Sequence, residues 1–381
     1  MRVYLDNAAT TPVASEVIDV MIPILKNDFG NPSSTHSFGR QAKGQIETSR
    51  KSIAKLLNCQ SSEIIFTSGG TEADNMALYS SIHQMSVKHI ITSKIEHHAI
   101  GHTVKAIESE GLARISYVKI DSKGNVDLAD LELLLQSEDK TLVTLMHSNN
   151  EISTLLPLDK VSTICRKHNA LFHSDTVQSI GHYSFDLQNL DIDYFSCSAH
   201  KFHGPKGVGF LYINKKISAK AFIHGGAQER GLRGGTENVS GIVGLAKAFE
   251  LANEVIADHQ KQVQGLKSYM MNQLKEMISD IYFHGETDPE KSLYTVLNVS
   301  FPQTEKTGML LFSMDLKGVA CSGGSACSSG AVSGSHVLAG INSDISRPNI
   351  RFSFSRYTTK EEVDYALQVI KDMFVLKKMN A

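Results

Sequence analysis

The sequence predicts an α/β protein with a mostly parallel central sheet covered by helices, followed by a smaller α+β domain. Two observations lead to this fold class. Between residues 63 and 213, seven short β-rich runs alternate with polar stretches of helical pattern, an order typical of parallel sheets. After about residue 237 the alternation stops, and long helical stretches with only two further strand-like runs follow.

Composition narrows the class of protein. The chain has 381 residues, of which 41% are hydrophobic, and a formal net charge of −2. This hydrophobic share supports a sizeable core and excludes a disordered chain. Because there is no basic excess and no apolar run long enough for a membrane span, we expect no direct nucleic-acid partner and no membrane association.

Cysteine usage and the first residues point to one compartment. The five cysteines are few, odd in number and form no CxxC pair, which argues against a disulfide framework. The stretch MRVYLDNAATTP lacks a basic region followed by an apolar one. We therefore expect a cytoplasmic protein without a signal peptide.

The first half of the chain supplies the predicted sheet. Residues 37–58 predict a helix, since Ile46, Ile53 and Leu57 recur near helical spacing. The strand-like runs that follow show little polar alternation, as in strands buried on both faces. These runs are 63–67, 88–93, 113–118, 141–146, 170–174, 194–197 and 208–213.

The second half supplies the smaller domain. Residues 239–277 predict one long helical stretch that bridges two domains. Strands are expected at 294–301 and 350–354, and helices near 307–316 and 360–377. The segment 321–335, CSGGSACSSGAVSGS, is rich in Gly, Ser and Ala, which predicts a mobile loop because nothing in it can anchor a core.

A glycine-rich turn joins the first predicted strand to a helix. Ser68, Gly69, Gly70 and Thr71 follow the strand that ends at Thr67. Free backbone N–H groups at a helix start, together with the helix dipole, form an anion site, so a phosphate site is expected here. The alternative is a tight turn in which Thr71 is the helix N-cap.

An acid and a lysine follow two later strands. Asp175 lies at the end of one strand, and Lys201 comes shortly after the next. Ligands of such sheets bind beyond the carboxyl ends of the strands. Pyridoxal phosphate needs a lysine for its Schiff base and a carboxylate for its ring nitrogen. Taken singly, Asp175 fits a helix N-cap and Lys201 a solvated charge, but with the phosphate turn they favour a pyridoxal-phosphate site.

Eight motifs carry a family resemblance from Tyr4 to about Ala366. In chain order they are SGGTEADN, IEHH, SNNEIS, HSDTVQS, SAHKFHGPKG, RGGTEN, GGSACSSG and IRFSFSRYT. Together they resemble the cysteine desulfurases, pyridoxal-phosphate enzymes of the class V aminotransferase-like group with the type I fold. The resemblance implies a large cofactor-binding domain at 15–255. It also implies a small domain made of 1–14 and 256–381, which carries the catalytic cysteine loop at 321–335.

The resemblance implies the catalytic roles. Lys201 matches the lysine that forms the Schiff base, and Asp175 matches the partner of the ring nitrogen. His97 matches the histidine stacked on the ring, which is placed as general base for the substrate thiol. Cys327 matches the cysteine that takes up sulfur as a persulfide. Arg351 matches the arginine that holds the substrate carboxylate.

The remaining matches concern binding and assembly. Gln178 matches the contact to the phenolic oxygen of the ring, and Asn150 an asparagine near ring and substrate. Thr236 matches a phosphate contact donated by the other subunit, which implies a homodimer. The phosphate contacts within one chain match Gly70, Thr71, Ser198 and His200. The implied reaction converts L-cysteine to L-alanine and delivers sulfur to an acceptor protein, such as an iron–sulfur cluster scaffold, or to thiolated tRNA or cofactors.

Some alternatives stay open at this point. Selenocysteine lysis, cysteine sulfinate desulfination and transamination use the same fold, and a non-catalytic binding protein is a further option. Cys321 is interpreted as a small core residue, with a second persulfide-handling thiol as the alternative. His97, His98 and His102 lack a suitably spaced Cys or acidic partner, so no metal is expected.

Overall fold

The structure is a computed structural model that describes residues 1–303, 309–323 and 334–374. Its strands are β1 (Val3–Tyr4), β2 (Ile64–Thr67), β3 (His89–Thr92), β4 (Arg114–Tyr117), β5 (Thr141–Thr144), β6 (Leu171–Asp175), β7 (Tyr194–Ser198), β8 (Gly209–Ile213), β9 (Tyr282–His284), β10 (Val296–Ser300), β11 (Val319–Ala320) and β12 (Asn349–Ser353).

The helices surround these strands. They are α1 (Ser15–Asn27), α2 (Ser37–Leu56), α3 (Gly70–His83), α4 (His98–Ser109), α5 (Leu128–Leu134), α6 (Leu158–Lys167), α7 (Val239–Glu254), α8 (Ile256–Met277), α9 (Leu310–Leu316), α10 (His336–Gly340) and α11 (Lys360–Phe374). Short 3₁₀ turns occur at Ser61–Glu63, Ala199–Lys201 and Gln228–Gly231.

The seven strands predicted in the first half form one sheet. Their order is β2-β8-β7-β6-β5-β3-β4, and β8 alone among these seven runs in the direction opposite to the other six. The mostly parallel sheet is therefore confirmed. Six strands are buried along their whole length, whereas β4 is partly exposed.

The predicted helical stretch 239–277 is two helices, so the expectation of one bridging stretch was wrong. The chain leaves helical geometry at Val255 (φ −120°, ψ 11°). Helix α7 buries Phe249 with α1 and α2 in the core beside the large sheet, whereas α8 buries Met270 in a second core. Because the two helices bury their apolar faces in different cores, the chain turns between them.

A second, smaller layer follows the large sheet. Strands β12-β10-β9 form an antiparallel sheet, and α8 packs with α11 on the same core. Strand β1 pairs in parallel with β11, so the first residues join this part of the molecule. The domain division at residues 14 and 255 stays a prediction.

None of the helices in the described ranges combines the length and apolar character needed to cross a bilayer.

The segment after β1 runs from the small sheet to the large sheet. Thr11 bonds to the carbonyl of His200 through both its backbone N–H and its hydroxyl, at 2.9 Å each. Residues 6–11 therefore connect the small sheet to the carboxyl ends of β6 and β7.

Candidate active site

A cavity of about 440 Å³ opens at the carboxyl ends of the large sheet, a size in the range of small-molecule sites. Ten of the twelve residues predicted for the site line it. They are Gly70, Thr71, His97, Asn150, Asp175, Gln178, Ser198, His200, Lys201 and Arg351. The sheet topology thus gathers residues that span most of the sequence, while their individual roles remain predictions.

The glycine turn forms one end of the cavity. Helix α3 begins at Gly70, and Gly69 is its N-cap with φ 153°, which side chains rarely adopt. A β-carbon at Gly70 would lie 2.5 Å from Val177 Cγ2, so only glycine fits this close approach. Thr71 lies inside the first turn, and the alternative that it caps the helix was wrong. The N–H groups of a first turn have no intrahelical partner and suit a phosphate.

Lys201 ends the 3₁₀ turn that follows β7. Its Nζ donates to the carbonyl oxygens of Ala8 and Ala9 at 2.6 and 2.9 Å. The side-chain amide of Gln178 donates to the same Ala8 oxygen at 2.9 Å. The segment after β1 therefore holds the lysine inside the cavity, a role that the sequence did not reveal.

Asp175 is the last residue of β6 and is buried. Its Oδ1 accepts the backbone N–H of Val177 at 2.9 Å. Burial raises the pKa of the Asp175 carboxyl, the nearby Asp74 raises it further, and His97 lowers it. A protonated ring nitrogen would compensate this buried carboxylate, so the site fits the cofactor that the sequence predicts.

Asp74 was missed by the sequence reasoning. It lies on α3 four residues after Gly70, only 1% exposed, and also lines the cavity. Its Oδ1 is 3.5 Å from His173 Nε2, and burial raises the pKa of this carboxyl to about 7. The i, i+4 spacing from Gly70 was the available signal, because it puts both residues on one helix face.

The two predicted histidines are neutral near pH 7. Burial lowers the pKa of His97, with Asp175 opposing and Lys201 adding to the shift. Burial, then Lys201 and Lys206, lowers the pKa of His200 to about 4. His200 can therefore offer a phosphate a hydrogen bond, but not a positive charge.

His97 also caps a helix. Its Nδ1 accepts the backbone N–H of Ala99 at 3.2 Å, as the N-cap of α4. This hydrogen-bond pattern assigns the ring proton to Nε2.

Arg351 lines the cavity from β12 of the small sheet, with a side chain only 1% exposed. Its Nη1 donates to the carbonyl of Asn150 at 3.0 Å, and its Nη2 donates to Asp6 Oδ1 at 2.9 Å and to Ser322 Oγ at 3.2 Å. Its Nε has no hydrogen-bond partner among the described residues. An unpartnered N–H on a buried arginine of the cavity lining suits an anionic ligand.

Two predicted residues are not in the cavity lining. Thr236 is exposed on this chain, which leaves the prediction of a contact across a dimer untested. Cys327 lies outside the described residues. On either side of it in the sequence, Ser322 donates to Asp6 Oδ1 at 2.7 Å, and Ser335 donates to Glu151 Oε2 at 2.5 Å.

Two further histidines of α4, His98 and His102, are not part of the cavity lining. The ring of His98 lies 4.8 Å from that of His102 and 4.5 Å from that of His336. Over residues 1–303, 309–323 and 334–374, no group of three or more His, Cys, Asp or Glu side chains has the geometry to hold a metal ion.

The strand-end lysine, the buried acid and the glycine-initiated helix define a pyridoxal-phosphate-dependent enzyme with an aminotransferase-type fold. Comparison with known proteins agrees, because the aminotransferase class-V family model matches residues 3–366. A protein of Dictyoglomus turgidum named cysteine desulfurase IscS is 45% identical over 97% of this chain and 94% of its own. The chain belongs to the cysteine desulfurases of the class-V aminotransferase family.

Other relatives extend the match. A Bacillus subtilis protein named putative cysteine desulfurase IscS 1 is 41% identical over 98% of both chains. A solved structure titled NifS-like protein superimposes with a TM-score of 0.90 at 40% identity, covering 98% of this chain and 99% of that one. The likeness therefore spans both sheets.

Proposed function

We propose that the protein converts L-cysteine to L-alanine and takes the sulfur onto Cys327 as a persulfide, which it passes to an acceptor protein. The observation that carries this proposal is the arrangement of the cavity. Lys201 and Asp175 line it from the large sheet, and the buried guanidinium of Arg351 lines it from β12 of the small sheet. An amino acid bound between them would place its amine towards the lysine and its carboxylate on the arginine.

At the lysine end, Asp175, Lys201 and the α3 turn would hold pyridoxal phosphate. The bound cofactor supplies an electron sink for the electron pair at the substrate α-carbon. Lys201 Nζ would move the α-proton, because it is the amine that the Ala8 and Ala9 carbonyls hold in the cavity. The buried Asp175 carboxylate would keep the ring nitrogen protonated.

Sulfur transfer requires a thiolate and a base. The Cys327 thiolate would attack the substrate sulfur and form an S–S bond with it. The carbon–sulfur bond breaks at the same time, and its electron pair stays with the carbon fragment. This fragment becomes alanine on protonation. His97 is the proposed base for the substrate thiol. To accept that proton at Nδ1 it must release the Ala99 N–H that it now caps.

The other cysteines support the assignment of Cys327. Burial raises the pKa of the Cys59, Cys165 and Cys321 thiols to about 12 and that of Cys197 well above its usual value. A thiol must ionise to act as a nucleophile. Near neutral pH these four thiols are therefore expected to stay protonated, which makes them poor nucleophiles. Cys321 also packs against the small core, as its interpretation as a core residue requires.

The test is to expose the holoenzyme to L-cysteine and locate the added sulfur by peptide mass spectrometry. We expect one added sulfur on the peptide that contains Cys327, and Cys327→Ser should keep the cofactor absorbance but lose about a hundredfold or more in alanine production. Cys321→Ser is the matched control and should keep the persulfide. If Cys327→Ser released sulfide as fast as the unaltered enzyme, the nucleophile assignment would be wrong, and the alternative cleavage reactions that need no protein thiol would gain support.

We also propose a homodimer. Helices α1 and α2, and Phe29 just after α1, expose apolar side chains, and the rings of Phe29 and Phe38 stack at 5.4 Å. The other exposed members are Ile18, Ile22 and Leu25. A second copy would cover them and could bring its Thr236 to the phosphate end. Sedimentation of the holoenzyme as a single chain would contradict this.

We further propose a cytoplasmic location for the protein and a protein acceptor for the sulfur. The four described cysteines are all free thiols, which suits a reducing cytoplasm. An iron–sulfur cluster scaffold is the proposed acceptor, and thiolated tRNA or cofactors are the alternative destinations of the sulfur.

A further inference from the structure

Asp6 holds the arginine that the proposed function assigns to the substrate. Its Oδ1 accepts Arg351 Nη2 at 2.9 Å and the Ser322 hydroxyl at 2.7 Å. The two charged side chains are 19% and 1% exposed. Among the described residues, Asp6 is the acid within ion-pair distance of Arg351. Without it the guanidinium would be a buried charge with no anionic partner, which is strongly unfavourable.

The ion pair with Asp6 occupies one of the Arg351 N–H donors that a substrate carboxylate needs. A carboxylate binds a guanidinium best through two parallel N–H donors. Arg351 Nε is unpartnered in the described part of the chain, but the adjacent Nη2 already donates to Asp6 and Ser322. A carboxylate that takes Nε and Nη2 together must therefore displace Asp6 or share Nη2 with it, and the two negative charges repel each other.

Other nearby groups do not take over this role. The charge of Arg351 acts to lower the pKa of the Glu151 carboxyl, but Oε2 of Glu151 accepts a hydrogen bond from Ser335. Asn150 offers Nη1 only a neutral carbonyl. Ser322 is fixed beside the arginine by two backbone hydrogen bonds, at 2.6 and 3.2 Å, and its neutral hydroxyl offers the guanidinium no negative charge.

We propose that Asp6 is an internal ligand of Arg351 that competes with the α-carboxylate of the amino acid. This inference rests on the proposed role of Arg351. Asp6 compensates the buried guanidinium when the site is empty and returns to it when product leaves. The competition weakens binding of every amino acid that uses Arg351, and it therefore favours release of alanine.

The test measures the affinity of the holoenzyme for L-alanine from the change in cofactor absorbance. L-alanine carries the α-carboxylate but no sulfur, so it does not engage a thiol. Asp6→Asn removes the charge and keeps the shape, and it should bind L-alanine about threefold to tenfold more tightly. The KM for L-cysteine should fall by a similar factor. Asp6→Ser tests the same point if the first variant fails to load cofactor.

Two controls separate this inference from the function on which it rests. Ethylamine is alanine without its carboxylate, and its affinity should be the same for both proteins. In an Arg351→Gln background, Asp6→Asn should no longer tighten L-alanine binding. If Arg351→Gln alone left L-alanine binding unchanged, the proposed carboxylate site would fail. If Arg351→Gln weakened binding and Asp6→Asn weakened it too, Asp6 would be a positioning residue and the competition would be refuted.

Discussion

The two ends of the cavity are built in different ways. At the lysine end, Asp175 and Lys201 follow neighbouring parallel strands of one sheet. At the arginine end, Asp6 and Arg351 are 345 residues apart in sequence and meet through side-chain hydrogen bonds. Sheet topology alone brings the first pair together. The second pair depends on pairing of the first residues with β12, where Asp6 forms a β-bridge with Ser353, and on side-chain hydrogen bonds.

The largest effect should come from breaking the lysine end. Lys201→Ala removes the amine that binds cofactor and moves the α-proton, so alanine production from L-cysteine should fall by about a thousandfold or more. The native cofactor absorbance should also be lost, while far-ultraviolet circular dichroism stays unchanged. The matched control is Lys216→Ala, since Lys216 is 70% exposed. Activity in Lys201→Ala close to that of the control would remove the basis for the site.

Breaking the arginine end should give a different kind of loss. Arg351→Gln removes charge-assisted hydrogen bonds to the substrate carboxylate, so the KM for L-cysteine should rise by about thirtyfold to a hundredfold. Cofactor absorbance and affinity should stay the same, because no phosphate or ring contact is altered. Steady-state kinetics with a parallel cofactor titration checks this. Loss of cofactor in this variant would show that the two ends are not separable.

The same contrast explains what the sequence could predict. Six of the seven strands are buried on both faces, which leaves a strong signal of short apolar runs, and Asp175 and Lys201 follow from the rule that ligands bind at strand ends. Asp6 and the Ala8 carbonyl could not be found this way. Their partners lie far along the chain, and nothing in the local sequence indicates which residues a backbone carbonyl or a lone acid will meet.

The helix break has a similar origin. Residues 239–277 keep helical periodicity throughout, so the local pattern predicts one stretch. The turn at Val255 arises because α7 and α8 pack on different cores. Tertiary packing decides such a break, and a pattern of apolar spacing within one segment does not contain it.

The two parts of the molecule also differ in how they compensate a buried cationic side chain, and this difference should have a smaller effect. Beside the large sheet, Arg50 is paired with Glu229 through two bonds of 2.7 and 2.9 Å. In the smaller part, Lys267 is 1% exposed and donates only to neutral oxygens of Ser292 and Leu293 among the described residues. Burial lowers the pKa of Lys267 from 10.5 to about 7, so this ammonium is costly to keep charged.

The buried Lys267 should make the free energy of unfolding depend on pH. Between pH 7 and 10.5 the unfolded chain keeps the Lys267 proton that the folded chain has lost, so the free energy of unfolding should rise with pH in this window. The contribution should approach about 1.4 kcal/mol per pH unit. Lys267→Met should flatten the rise, whereas Lys261→Met, an exposed lysine on the same helix, should not. Urea unfolding of the holoenzymes from pH 7 to 10, followed by circular dichroism, checks this, and equal slopes in all three proteins would contradict it.

The early segment between β1 and α1 has a consequence for biosynthesis. Val3 pairs with Val319, Asp6 with Arg351, and Ala8 with Lys201. A ribosome makes these residues long before their partners, and contacts of such long range form slowly. A nascent chain can assemble much of the large sheet, but Asp6 cannot meet its arginine partner until β12, the last strand, has emerged. The reactive centre is therefore completed only at the end of translation, so an unfinished chain has no competent pocket in which to mobilise sulfur.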